Sequence, residues 1–300
     1  MKMRFLVCLG LLSALCSVGQ SAEKNDSPQE EGLEYLLFSD IPLVITASKK
    51  EEKLKDAPSV VSVITEEQIK KFGATNLREI LERAPSVYMT SSYLYHSGAI
   101  SMRGDYQSHV NNHVLFLING RQTRDPVFGG IDMPLLNSFP IQNIKSIELV
   151  RGPGSVLYGT NAYTGVINII TKDFGEKTTG EIGTQQGSYG TSRYFASASL
   201  PGEALQVEAG VNYLKTDGWE FQTQDEARVT SSANMAEDNL GVFFRGKAKG
   251  FTLNGLFAKS NTDDFGIIPL WPFDFVNTER DFVDAGYEWV MSDAWNLECL

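Results

Sequence analysis

The chain is poor in cysteine and histidine, with three of each in 300 residues. Cys8 and Cys16 lie in the first apolar segment, so loss of that segment would leave only Cys299. That scarcity excludes a disulfide scaffold and leaves too few ligands for a multi-ligand zinc site. Positive charge is short as well: 26 Lys plus Arg against 37 Asp plus Glu give a formal net charge of −11 and a pI near 4.9. A nucleic acid or an anionic lipid surface would favour a basic face, so neither is expected as an electrostatic partner. The composition, 42% hydrophobic with a mean hydropathy of −0.17, supports a core but is too polar for a bundle of transmembrane helices. It does not exclude a transmembrane β-barrel, whose strands alternate lipid-facing apolar and lumen-facing polar residues.

Residues 1–22 read as a secretory signal peptide. Lys2 and Arg4 supply the positive start, Phe5 to Val18 the apolar stretch, and Gly19, Ser21 and Ala22 the small residues for cleavage. Cys16 follows Leu15, which does not suit a lipoprotein acceptor. A cysteine-poor chain behind a signal fits a bacterial envelope protein that folds without disulfides. Residues 23–39, acidic and without apolar period, read as a flexible periplasmic tether. Residues 40–48 hold a β-prone run, Ile41-Pro42-Leu43-Val44-Ile45-Thr46, closed by the solvated Lys49 to Lys53. Such a run is either an edge strand or a strand offered to another protein's sheet edge.

Residues 49–175 read as a mixed α+β unit. Val60 to Ile64 is β-branched; Thr65 with Gln68 forms a capping box for a helix over Glu66 to Phe72, stopped by Gly73. Asn76 caps a second helix over Leu77 to Arg83, ended by Pro85. Val114 to Ile118, Ser146 to Val150 and Val166 to Thr171 read as buried strands.

Residues 176–300 change to long two-sided strands. Leu205, Val207, Ala209, Val211 and Tyr213 alternate with Gln206, Glu208, Gly210 and Asn212, and Val283 to Met291 repeats the pattern. Strands of about ten residues approach what a tilted strand needs to cross a bilayer. Pro201-Gly202, Lys249-Gly250 and Ser292-Asp293-Ala294 read as tight turns, while 217–239 and 261–280 read as long polar loops. Short turns alternating with long connections are the up-and-down signature of an outer-membrane barrel. The pattern stops at Leu300 without a closing partner, and an open sheet in lipid leaves costly unpaired backbone, so an incomplete polypeptide is expected.

The ordered motifs resemble those of TonB-dependent outer-membrane receptors. They are Ala57 to Thr65, Gly73 to Leu77, Leu81 to Pro85, Ser101-Met102-Arg103-Gly104, Val114 to Gly120, Ile147 to Pro153, and the run Leu157 to Thr171. The resemblance implies a plug domain followed by the first antiparallel strands of a barrel, about 22 strands in the whole protein. It implies that Ile41, Pro42, Leu43, Val44, Ile45 and Thr46 form the TonB box, facing the periplasm, with TonB, ExbB and ExbD as energising partners. Pro42 lacks a donor, so pairing would place its nitrogen outward. It further implies that Arg103 and Arg151 lock plug to barrel through wall carboxylates. Tyr93, Tyr95, His96, Arg121, Thr123, Arg124 and Phe128 would lie in outward plug loops that meet the ligand.

The expected cargo is a scarce, bulky solute, a ferric siderophore first, with cobalamin or haem as alternatives. No resident cofactor or metal is expected. His96, His109 and His113 invite a haem reading, but His109 and His113 flank Val110-Asn111-Asn112 just before a buried strand, where capping or packing is the commoner use; Asp217, Asp225, Glu226, Asp263 and Asp264 invite a calcium reading, but their spacing matches no calcium loop. The Gly152 to Gly159 run lacks the ending of a phosphate loop. No nucleophile and base set stands out, so an enzyme is not expected. From another class, a secreted binding module that forms no channel remains the rival.

Overall fold

A computed structural model describes residues 43–90, 99–106, 112–125, 129–130, 133–224, 228–263, 275–292 and 295–299. These residues all belong to one unit of the chain, residues 42–300. Strand β1 (Leu43–Val44) pairs antiparallel with β2 (Glu52–Lys53). Strand β3 (Val60–Thr65) runs into helix α1 (Glu66–Phe72), and the capping box forms as the sequence predicts: the Gln68 N–H donates to the Thr65 hydroxyl while the Gln68 side chain accepts from the Thr65 N–H. Gly73 closes the helix at a φ of 64°, a conformation glycine adopts without strain. Helix α2 (Leu77–Leu81) is capped by Asn76 and ends sooner than the sequence predicts.

Strands β4 (Val87–Thr90) and β5 (Ala99–Met102) make a separate pair. Then follow β6 (Val114–Ile118), β7 (Arg121–Thr123), helix α3 (Met133–Ser138), β8 (Ile144–Arg151), helix α4 (Ser155–Tyr158) and β9 (Gly165–Thr171). A five-stranded sheet in the order β3-β8-β9-β6-β7 unites them, with β6 and β9 parallel and the rest antiparallel. One face, with Phe116, Ile147, Leu149, Ile167 and Ile169, is covered by Ile69, Leu77, Ile80 and Leu135 from the helices and by Phe139 just after α3. The other face, with Leu115, Leu117, Val150 and Val166, is covered by Ala47, Tyr158 and Ala162. Burial on both faces explains why β6 and β9 read as continuous apolar runs rather than alternating ones.

The rest is an antiparallel wall: β10 (Thr179–Gln186), β11 (Ser192–Leu200), β12 (Gln206–Thr216), the hairpin β13 (Glu220–Gln224) with β14 (Thr230–Asn234), then β15 (Glu237–Ala248), β16 (Phe251–Asp263), β17 (Phe275–Ser292) and β18 (Trp295–Cys299). Seven of these form one sheet in the order β10-β11-β12-β15-β16-β17-β18, with the β13–β14 hairpin apart. The structure corrects the two long loops read from the sequence. Residues 217–239 contain the hairpin and the start of β15, and much of 261–280 belongs to β16 and β17. Polar residues extend these strands because they pair across them: Lys259 meets Glu279 at 2.7 Å, and the Thr278 hydroxyl donates to the Ser260 carbonyl oxygen at 3.2 Å.

The wall is inside out by the standard of a water-soluble protein. Glu208, Asn212, Asn239, Ser260 and the whole of Arg193 are buried, whereas Leu253, Val283 and Trp289 are 46%, 56% and 57% exposed. The polar face looks onto the mixed domain and the apolar face looks outward, as a lipid-embedded barrel wall requires. Among the described residues, no helix is long and apolar enough to cross a membrane.

Candidate functional site

Of the run 40–48, the described residues 43–48 are extended in only part. Leu43–Val44 are strand, but the backbone then turns, with the Lys49 N–H donating to the Ile45 carbonyl oxygen at 2.8 Å and Lys49 at a φ of 60°. Three side chains hold this turn. The Glu148 carboxylate accepts the Ile45 N–H at 3.1 Å and the Thr46 N–H at 2.8 Å. The Tyr158 hydroxyl donates to the Thr46 carbonyl oxygen at 2.9 Å. The Asn168 amide donates to the Thr46 hydroxyl at 3.0 Å, and its carbonyl oxygen accepts the Gly120 N–H at 3.0 Å.

Glu148 and Asn168 face each other across β8 and β9 and are both buried, so the turn rests on a cross-strand polar pair in an apolar sheet. A buried carboxylate is tolerated only with donors, and the two backbone N–H groups supply them. Burial first, and then the charge of Glu148, raise the Tyr158 pKa above its ordinary 10.0, so the phenol stays a donor. Lys49 sits 4.8 Å from the centre of the Tyr158 ring. Sequence reasoning missed Glu148, Tyr158 and Asn168. The available signal was the polar interruption of two buried strands, Glu148 within Ile147 to Val150 and Asn168 within Val166 to Ile170.

The mixed domain seats on the wall through α3 and the segment after it. The Ser138 hydroxyl donates to the Lys259 carbonyl oxygen at 2.9 Å, and Phe139 meets Phe243 with ring centres 5.8 Å apart. The Asn143 amide donates to Glu208 at 2.9 Å, and the buried Arg193 guanidinium donates to Gln142 at 3.2 Å and Asn212 at 2.6 Å. Arg245 donates to the Lys172 carbonyl oxygen at 3.1 Å. Beside β7 two ion pairs of opposite sense reach β17, Arg121 with Asp284 and Asp125 with Arg280, each at 3.4 Å. A cavity of about 230 Å³, lined by Arg121, Arg245, Lys247, Asn254, Asp284 and Glu288 among others, lies between β7 and the wall.

Comparison with known proteins shows what the mixed domain is similar to. Residues 53–166 match the family described as the TonB-dependent receptor plug domain. The chain carries a TonB-dependent receptor plug domain. The vitamin B12 transporter BtuB of Photobacterium profundum is 31% identical over 176 residues, covering 59% of this chain and 28% of that transporter. The BtuB transporter of Vibrio vulnificus is 29% identical over 189 residues, covering 60% and 29%. The ferripyoverdine receptor of the outer membrane of Pseudomonas aeruginosa matches in fold with a TM-score of 0.63 and 15% identity, over 83% of this chain and 34% of that one. The chain therefore spans under a third of the length of its curated relatives. The family is one of transport receptors, not of enzymes, and its members are outer-membrane proteins.

Within the plug, the residues singled out in the sequence are dispersed. Ile41, Pro42, Tyr93, Tyr95, His96, His109 and Phe128 lie outside the described residues, as do Asp225, Glu226 and Asp264. Arg121 and Thr123 are on strand β7 rather than in a loop, because Asn119-Gly120, at φ of 48° and 78°, forms a tight hairpin turn from β6. Arg121 pairs with the wall as described, the Thr123 hydroxyl donates to the Phe116 carbonyl oxygen, and Arg124 donates to the Thr160 carbonyl oxygen. Arg103 and Arg151 come together at one end of the sheet. Arg151 donates to the Ser62 hydroxyl at 2.8 Å, and the Arg103 guanidinium lies against Gly152. Among the described residues no carboxylate pairs with either. His113 bonds Asp105 at 2.7 Å and meets the Tyr163 ring at a tilt, with ring centres 4.8 Å apart.

Proposed function

We propose that the chain is part of an outer-membrane receptor that binds a scarce, bulky solute outside the cell and imports it by energy relayed through TonB. Segment 41–46 would face the periplasm and pair there with TonB, itself powered through ExbB and ExbD. The observation that carries this reading is the inside-out wall around a plug, since polar residues turned inward and apolar residues turned outward serve no purpose in a soluble module. Arg103 and Arg151 would take wall carboxylates, which fits two guanidinium groups held together without an acidic partner among the described residues.

A ferric siderophore is the first cargo, gripped by aromatic and cationic plug residues among Tyr93, Tyr95, His96, Arg121, Thr123, Arg124 and Phe128. Cobalamin is the second reading, supported by the similarity to two vitamin B12 transporters. Deleting residues 41–47 from the full-length receptor should abolish uptake while cells still bind the ligand at their surface. Uptake that persists in the deletion strain contradicts the energised mechanism.

A further inference from the structure

We propose that Glu208, Ser199 and Asn143 hold a small monovalent cation of the sodium class in the seam between plug and wall. The inference needs only the docking of the plug on the wall and does not depend on the cargo. Ser199 on β11 and Glu208 on β12 stand directly opposite each other in the sheet, and Asn143 reaches Glu208 from the plug. Ser199 is 8% exposed, and Glu208 and Asn143 are 1% exposed. Each nevertheless carries an oxygen without a hydrogen-bond partner: the Ser199 hydroxyl, the second carboxylate oxygen of Glu208 and the Asn143 side-chain carbonyl. All three residues line one cavity of about 130 Å³, which Lys172, Thr179 and Glu181 line as well.

Glu208 is the group that demands an occupant. Its first oxygen accepts the Asn143 amide at 2.9 Å, and among the described residues no cation pairs with it. The nearest positive groups are committed elsewhere. Lys172 pairs with Glu66 at 2.9 Å, and Arg245, opposite Glu208 on β15, donates to the Thr171 hydroxyl and the Lys172 carbonyl oxygen. A buried carboxylate with a single donor is unstable unless something else balances its charge. One carboxylate with neutral hydroxyl and amide oxygens is the donor set of a hard cation. The single buried negative charge matches a single positive one. Among the described residues no three His, Cys, Asp or Glu come together as a transition metal or a tightly held calcium ion would require. The cavity has room for the ion and a few waters, at about 30 Å³ each. Because the ligands come from both plug and wall, the site exists only while the two are docked, and the ion holds them together.

The test is thermal melting of the full-length receptor, purified in detergent, at constant ionic strength with sodium chloride replacing choline chloride. Sodium should raise the plug transition saturably by about 2–4 °C, as a ligand bound only to the docked state does. Glu208→Gln keeps the shape and an acceptor for Asn143 but removes the charge, and should abolish the shift. Ser199→Ala should raise the half-saturating sodium concentration about fivefold, the worth of one polar contact, and it decides the matter if Glu208→Gln fails to fold. Glu279→Gln, on the outward face of β17 and outside the site, should keep the wild-type response. Equal melting in sodium and choline overturns the site, and so does a sodium shift that survives in Glu208→Gln or is unchanged in Ser199→Ala. Melting that depends on pH but not on the ion, with the dependence lost in Glu208→Gln, would place a proton on Glu208 and overturn the site as well. Calcium outdoing sodium at equal ionic strength would overturn the monovalent assignment.

Discussion

Gly241 sits where β15 passes the Ser138 carbonyl oxygen, and a Cβ at that position would overlap the carbonyl. Gly210 stands in the same relation to the Asn143 side chain. These glycines let the wall approach the plug backbone closely, which is why their positions on the polar faces of β15 and β12 carry no side chain. Gly241→Val should therefore push α3 off its seat and destabilise the plug by about 1–3 kcal/mol, the usual cost of overpacking. Thermal melting of the purified receptor in detergent would show it. Phe139→Ala, which empties the buried contact with Phe243, should cost about 3–5 kcal/mol in the same assay. Neither role could be read from the residue alone, since glycine in a strand marks a close approach without saying to what.

At the scale of elements, α1 shows how local chemistry ties the plug together. Glu66 in its first turn meets Lys70 at 2.6 Å and Lys172, just after β9, at 2.9 Å. Burial alone would raise the Glu66 pKa, but its hydrogen bonds to the two lysines outweigh that and hold the carboxyl below its ordinary 4.5. A carboxyl lowered in the folded state adds stability that is present above pH 4.5 and lost as pH falls through its lowered value. Glu66→Gln should lower neutral-pH stability by about 1 kcal/mol or less, the modest worth of a partly exposed ion pair, and remove the same amount from the acid loss, so that wild type and variant converge in thermal melts below the lowered value. The caps of α1 and α2 were legible because Thr65, Gln68, Gly73 and Asn76 act on their own neighbours. Helices α3 and α4 were not, because Met133–Ser138 and Ser155–Tyr158 are too short to show a period and are held by packing against distant strands. Strand β7 escaped notice for the same reason, although the Asn119-Gly120 turn announced a hairpin. The turn at 45–49 escaped too: its β-prone residues predict a strand, and the carboxylate that bends them lies about a hundred residues away.

Across the whole molecule, alternation was the most legible signal. The apolar faces of β12 and β17 read correctly from the sequence, since a period of two assigns every side chain once one is assigned. Which face meets lipid was not contained in the alternation. It became plain only when the polar faces were found buried against the plug. Val283→Arg places a charge on the outward face and should lower the amount of assembled receptor in outer membranes, with a penalty of up to about 2–4 kcal/mol near mid-membrane. The most direct test of the inside-out wall is gel migration of the native protein extracted from outer membranes, before and after boiling. A closed membrane barrel resists detergent until heated, so the unboiled protein should migrate faster than the boiled one. Identical migration, with the protein recovered in the soluble periplasmic fraction, would contradict the account.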